Sequence, residues 1–258
     1  MPRMTGPSDV RGIQAVERAL TILDKFGPQS QVLGVRDLAD DLSVHQSTLY
    51  RLLGALHRHG LINWQDGKVR PGLRLYELGC LAVGRLSVKP LAQPILFKFA
   101  ADTEETLSLG IYDRGQVLYL ERVESPRNVP VVAVAGGRGP VHCTGTGKVL
   151  LAAQTEQEVD RVISCGLRRF TQFTVTDGAL LRKELAKIRQ EGHAISDQEL
   201  QLGDYAIAAP VYDSAGTVVA AISLSGAVSR ISRDQGRYLQ AVLDAAAELS
   251  KQLGHLRM

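Results

Sequence analysis

The chain contains no run of about 18 apolar residues, the length a membrane-crossing helix needs, so its sequence predicts no membrane partner. Residues 1–10 are polar and rich in Pro, Gly and Ser. They lack the apolar stretch of a secretory signal and read as a frayed tail. Cysteine is scarce: Cys80, Cys143 and Cys165 are an odd set with no pairing pattern. No disulfide framework is expected, which places the protein in the cytoplasm. The three thiols are expected to be small, semi-buried apolar side chains. A charge excess of one sign is also nearly missing, with a net charge of +3.

Catalytic patterns are missing as well. Thr144-Gly145-Thr146-Gly147-Lys148 invites a phosphate-loop reading. No glycine stands five positions before Gly147, however, and Val149 replaces the Ser/Thr that such a loop requires. There is no Gly-x-Ser-x-Gly elbow. Without HExxH or paired CxxC, neither a metal site nor a cofactor is expected. His142 and His193 have no ligand spacing and read as structural histidines. The chain is therefore not expected to be an enzyme.

What is present is an ordinary globular composition, 45% hydrophobic and 22% charged, over 258 residues, enough for two domains. The positive charge is unevenly placed. Residues 1–88 hold 11 Lys/Arg against 8 Asp/Glu, whereas residues 89–258 hold 19 of each. A basic end means little unless a fold presents it to a phosphate backbone.

Such a fold is legible. Val16, Ala19, Leu20 and Leu23 recur at helical spacing, and Phe26 with Gly27-Pro28 closes that segment. Val35, Leu38, Ala39 and Leu42 mark a short second helix, interrupted at Ser43-Val44. Leu49, Leu52, Leu53 and Leu56 mark a third, and Gly60 ends it. A short helix, a tight turn and a second helix form the helix-turn-helix. Opposite the leucine face lie Ser47, Tyr50, Arg51, Gly54 and Arg58, which are polar or small, as a helix in a major groove requires. His45, Gln46, Ser47 and Thr48 fall at the start of this helix. Its backbone N–H groups, with the Ser47 and Thr48 hydroxyls, suit a phosphate oxygen. As the bland alternative, Ser47 or Thr48 merely caps the helix and Arg51 is a solvated charge. Arg36, on the preceding helix, joins the candidate contacts. Two apolar-polar runs then flank Asp66-Gly67, a hairpin signal. A hairpin after a recognition helix is a wing, whose Lys68 and Arg70 can reach phosphates. Trp64 reads as a packing residue.

Several motifs in order carry a family resemblance. Ala15-Val16-Glu17-Arg18-Ala19-Leu20-x-Ile22-Leu23 resembles the opening helix of IclR-type transcriptional regulators. Ser47-Thr48-Leu49-Tyr50-Arg51-Leu52-Leu53-x-x-Leu56-x-x-x-Gly60 resembles their recognition helix. Pro71-Gly72-Leu73-Arg74-Leu75-x-x-Leu78-Gly79 is similar to the segment entering their linker helix. Val117-x-Tyr119-x-Glu121-Arg122-Val123-Glu124-Ser125 and Pro140-Val141-His142-Cys143-Thr144-Gly145-Thr146-Gly147-Lys148-Val149-Leu150-Leu151 resemble second-domain segments. So do Ala208-Ala209-Pro210-Val211 and Ala220-Ala221-Ile222-Ser223-Leu224-Ser225-Gly226. The expected organisation is a tail at 1–10, a winged helix-turn-helix at 11–72, a linker helix at 73–89 and an effector-binding domain at 90–254.

In the second domain, Leu107-x-Leu109-x-Ile111 alternates as a strand, and residues 116–123 follow a turn at Asp113-Arg114-Gly115. Asp177 reads as the N-cap of a helix running to about Glu191, with Gly192 past its end. Two further strands, 205–211 and 217–225, flank Asp213-Ser214-Ala215-Gly216. Tight turns between neighbouring strands predict an antiparallel sheet. With helices at both ends the fold class is α+β. The resemblance implies a GAF-like sensor with an effector pocket. It implies that Thr144, Gly145 and Thr146 offer backbone N–H groups to an effector carboxylate. Ser223 and Ser225, two residues apart, share one strand face. A third piece, the stretch containing Ser196, Asp197 and Ala206, departs from the family. Ser196 stands where an acid often is, and Ala206 where a cysteine often is. That departure disfavours the glyoxylate- or pyruvate-like ligands of some relatives and points toward a larger or more apolar acid.

The resemblance thus implies a regulator, of the repressor type, with double-stranded operator DNA, a small organic-acid effector and a second copy of itself as partners. The self-assembly would be a homodimer through the first and linker helices, or a homotetramer. Two alternatives remain: a metabolite-binding or enzymatic protein with a vestigial DNA-binding module, and a winged domain that serves protein contacts only.

Overall fold

The computed structural model describes residues 13–27, 30–84, 88–125 and 136–255. The tail expected over residues 1–10, part of the expected linker (85–87) and the side chain of Cys80 lie outside them. The chain divides into two compact units, Met1–Arg85 and Leu86–Met258.

The first unit runs α1 (Gln14–Asp24), β1 (Leu33–Gly34), α2 (Val35–Asp41), α3 (Gln46–Arg58), β2 (Ile62–Gln65), β3 (Lys68–Pro71) and α4 (Leu73–Gly84). Its core joins Ile22 of α1 and Leu38 of α2 to Leu49, Leu53 and Leu56 of α3, closed beneath by Ile62 and Val69. On α1 the buried side is Ile22, with Ala19 and Leu23 half-buried, whereas Val16 and Leu20 face outward. Only half of that expected apolar stripe therefore belongs to the core. Ser43 takes a left-handed φ of 48° between α2 and α3, which turns the chain there. The hairpin turn uses φ of 52° at Asp66 and 70° at Gly67, the positive pair that a two-residue hairpin favours. β1 adds an outer strand to β3, giving a sheet ordered β1-β3-β2.

The second unit is built on a six-stranded antiparallel sheet ordered β6-β5-β4-β9-β8-β7. Its strands are β4 (Thr106–Asp113), β5 (Gln116–Val123), β6 (Arg138–Pro140), β7 (Ala194–Asp197), β8 (Asp204–Tyr212) and β9 (Val218–Ala227). Alternation along each strand sends residues to two cores. Leu107, Leu109, Ile207, Val211, Ile222 and Leu224 pack against α5 (Val88–Thr103) and α10 (Gln235–Gln252). Val117, Tyr119, Ala208 and Ala221 pack on the other face, against α6 (Gly145–Ala152), α7 (Glu156–Ser164) and α8 (Gly178–Glu191). The helices thus cover both faces of the sheet, a finer arrangement than helices at its two ends. A short α9 (Val228–Ile231) follows β9. Asp177 caps α8 by accepting from the Leu180 N–H, and Gly192 ends it at φ 72°.

Candidate functional sites: a recognition-helix face and a sheet-floor cavity

In the first unit the exposed side of α3 carries Ser47, Tyr50, Arg51 and Arg58, with Thr48 half-buried. His45 caps the helix: its Nδ1 accepts from the Ser47 N–H at 3.3 Å and lies 2.8 Å from Ser47 Oγ. The cap is therefore His45 rather than Ser47 or Thr48, and the Ser47 hydroxyl is held by the imidazole. Arg36, His45 and Gln46 border one shallow recess; Thr48, Tyr50, Arg51, Gly54 and Arg58 border another. Tyr50 stacks on Trp64 with centroids 5.4 Å apart, and Trp64 is half-buried against the core. The wing is thereby tied to the recognition helix through a ring pair. Lys68 and Arg70 lie exposed on β3, opposite Gln65 and Asn63 of β2, while Val69 between them is buried. Among the described residues, none of Arg36, Arg51, Arg58, Lys68 and Arg70 forms an ion pair. Their charge stays available to an external anion.

In the second unit a narrow cavity opens between the α6 face of the sheet and the start of α6. Its floor follows from the register. One row runs Arg122 (β5), Ser108 (β4), Ser223 (β9) and Ala208 (β8). The next runs Thr106, Ser225, Ala206 and Ser196. Most of these side chains are small, which leaves depth beneath α6. Thr144 caps α6, accepting from the Gly147 N–H at 3.0 Å and donating to the Pro140 carbonyl at 2.8 Å. Thr146 donates to Ser223 at 2.8 Å, and Ser196 donates to the Cys143 carbonyl at 3.1 Å. A methyl on Gly145 would meet the Ala208 Cβ at 3.4 Å, an ordinary contact, whereas one on Gly147 would come within 2.6 Å of the Val141 carbonyl oxygen, so it is at Gly147 that α6 approaches the preceding backbone too closely for a side chain. Gly145 and Thr146 form the first turn of α6, whose N–H groups have no partner within a helix.

Of the expected effector residues, Thr144, Gly145, Thr146, Ser196, Ala206, Ser223 and Ser225 all line this cavity. Asp197 does not join them. It is one residue beyond Ser196 on β7, so it faces the other way and is exposed. Sequence reasoning missed Ser108, Tyr119, Arg122, Cys143, Leu200, Gln201 and Asp204. Burial pushes the Cys143 thiol up to about 12, which keeps it protonated, and raises the Tyr119 hydroxyl as well. Burial also pushes Asp204 up to about 6, against the opposing pull of the Tyr205 N–H and of Arg122. Cys165, expected to be semi-buried, is exposed where α7 ends.

Lys148 is a structural cation. It is buried on α6 and paired with Glu199 at 2.5 Å and Glu184 at 3.2 Å. His142 is buried with its Nε2 2.9 Å from the Arg168 carbonyl oxygen, and burial lowers its pKa. Among the described residues no cluster of three or more His, Cys, Asp or Glu is placed to hold a metal, and no helix is long and apolar enough to cross a membrane.

Comparison with known proteins adds two family matches. Residues 15–66 match the IclR helix-turn-helix domain, and residues 80–251 match the bacterial transcriptional regulator IclR C-terminal domain. The HTH-type transcriptional regulator XynR of Escherichia coli (strain K12) is 34% identical, covering 94% of this chain and 98% of that protein. The HTH-type transcriptional repressor AllR of Salmonella typhi is 33% identical over 98% of this chain and 94% of that one. Among solved structures, an IclR homolog of Microbacterium hydrocarbonoxydans complexed with 4-hydroxybenzoate superposes with a TM-score of 0.84. It is 26% identical and covers 93% of this chain and 98% of that one.

Proposed function

The chain belongs to the IclR family of bacterial transcriptional regulators, pairing a DNA-binding helix-turn-helix domain with an effector-binding C-terminal domain; on that premise we propose how it works. The observation that carries the proposal is the outer face of α3. Ser47, Thr48, Tyr50, Arg51 and Arg58 project from the recognition helix with no ion pair holding the arginines. This face enters the major groove of double-stranded operator DNA. Arg36, His45 and Gln46 contact the flanking phosphates, and Lys68 and Arg70 on the wing add further backbone contacts. The domains are the winged helix-turn-helix at 11–72, the linker helix at 73–89 and the effector-binding domain at 90–254. The protein acts as a repressor of a catabolic or metabolic operon, a sign supported by relatives named as repressors. The cavity floored by Ser223, Ser225, Ala206 and Ser196 and roofed by Thr144, Gly145 and Thr146 takes a small organic acid. A relative solved with 4-hydroxybenzoate supports an acid of that size. The ligand changes operator affinity by binding the two conformations of the protein unequally. The linker helix, whose described part is α4, carries that difference.

Purified protein is titrated onto the DNA upstream of its own gene and onto a scrambled duplex, across a salt series. Preferential binding that weakens steeply with salt is the expected result. Absence of binding to both duplexes at low salt would remove the DNA-reading role.

A further inference from the structure

Two charged groups in the cavity are not accounted for by holding the protein together. The Arg122 side chain is 5% exposed, yet its Nε has no hydrogen-bond partner. Its ion-pair partner, Glu124, is 67% exposed and stands 3.6 Å away. Asp204 has a buried Oδ1 that also lacks a partner. Both residues line the same cavity, from opposite sides of its floor: Arg122 on β5 and Asp204 on β8, with β4 and β9 between them. Leaving either atom dry and without a hydrogen bond costs stability, and such atoms in a folded protein call for an explanation.

Local geometry shows that Arg122 is placed there by a specific device. On β5, Val117 and Tyr119 face α6, while Leu118 and Leu120 face α5. Simple alternation would send Arg122 to the α5 side with Leu120. The strand pairs Glu121 with Leu109 but Tyr119 with Gly110, so one extra residue bulges out. Beyond that bulge the alternation is inverted. Glu121 reaches Lys89 of α5 at 3.7 Å, and Arg122 turns into the cavity beside Ser108. Bulges re-aim side chains in this way next to binding sites. On β8 no device is needed, because Asp204 shares the strand face of Ala206 and Ala208.

We propose that Arg122 and Asp204 set the ligand class of this cavity: an acid whose anionic group is taken by Arg122 and whose hydroxyl or amino group donates to Asp204. This rests on the reading of the cavity as the effector site and adds to it the two groups that select the effector. A neutral ligand leaves the guanidinium unsatisfied. An acid without a donor places a second anion near the Asp204 carboxylate and leaves its Oδ1 bare. Only a ligand carrying both groups satisfies both ends, and discrimination against the others follows from the buried group each leaves bare.

The full-length protein is titrated by calorimetry with matched probes: lactate against propionate and lactamide, 4-hydroxybenzoate against benzoate and 4-hydroxybenzamide, and alanine against propionate and alaninamide. At least one hydroxy or amino acid should bind, ten-fold or more tighter than both its donor-free acid and its amide. Arg122→Gln should lose that affinity ten-fold or more. Arg122→Lys, which keeps the charge, should retain part of it and so separates binding from folding. Asp204→Asn should erase the preference for the donor-bearing acid. A donor-free acid binding as tightly as its partner, unchanged affinity in Arg122→Gln, or a silent panel would each overturn the assignment. The effector-site reading fails by a different result, tight acid binding that leaves operator affinity unmoved.

Discussion

Arg51 stands on the outer face of α3 with its charge unspent, so removing it should leave the fold intact and strip a contact from DNA. Arg51→Ala is expected to weaken operator binding by about 1–3 kcal/mol, roughly 5- to 150-fold. The melting temperature and acid binding should not move. An electrophoretic shift beside a thermal melt checks this; an unchanged operator affinity would mean that α3 does not read the groove. The cavity residues offer a pH-dependent test. Asp204, pushed from 3.8 to about 6 by burial, holds its proton more tightly folded than unfolded. Its contribution to stability is complete below about 4 and is lost as pH rises through about 6. Asp204→Asn should therefore gain stability over the wild type between pH 4 and pH 7, by up to about 3 kcal/mol. Urea unfolding at both pH values measures the difference, and a flat difference would refute it. Ser223, Ser225 and Thr144 to Thr146 were legible as cavity residues because the family resemblance marked them, with spacing placing the two serines on one strand face. Arg122 was not, because its direction depends on a bulge that no residue pattern announces.

At the scale of elements, one glycine sets a close approach. A Cβ on Gly72 would collide with the Gly60 carbonyl oxygen and come within 2.8 Å of the Ile62 N. The exit of the wing is thus packed directly against the end of α3. Gly72→Ala is expected to destabilise the first unit by about 1–3 kcal/mol and to lower operator affinity with it. Melting monitored by Trp64 fluorescence reads the first effect; a wild-type transition would show that the approach relaxes freely. The elements readable from sequence were those with periodicity and caps, such as α3 with its leucine face and α8 between Asp177 and Gly192. α6 shows no amphipathic period because all eight of its residues are buried. β1, β6 and β7 are too short to alternate visibly. α7 did carry a signal: Thr155 three residues before Glu158, a capping-box spacing, and Thr155 accepts from the Glu158 N–H at 3.3 Å.

On the scale of the whole molecule, two helices of the first unit leave large apolar side chains exposed among the described residues. Ile13, Val16 and Leu20 are 70%, 50% and 50% exposed along one side of α1, opposite the side that carries Ile22 into the core. On α4, Leu73 and Leu81 are 82% and 68% exposed. Single exposed leucines need no explanation, but helical spacing of several on two helices of one unit marks a surface built to be buried. A second copy fits the function, since one winged unit contacts one half-site and two recognition helices must reach successive grooves about 34 Å apart. The double substitution Val16→Glu with Leu20→Glu should shift the protein from dimer or higher assembly to monomer in light scattering. Because the two half-sites then bind independently, operator affinity should fall on the order of a hundredfold. Binding to an isolated half-site should barely change, since α3 and the wing are untouched. A variant that stayed assembled would place the interface elsewhere, and one that became monomeric with full operator affinity would show that dimerisation is not what sets occupancy of the site.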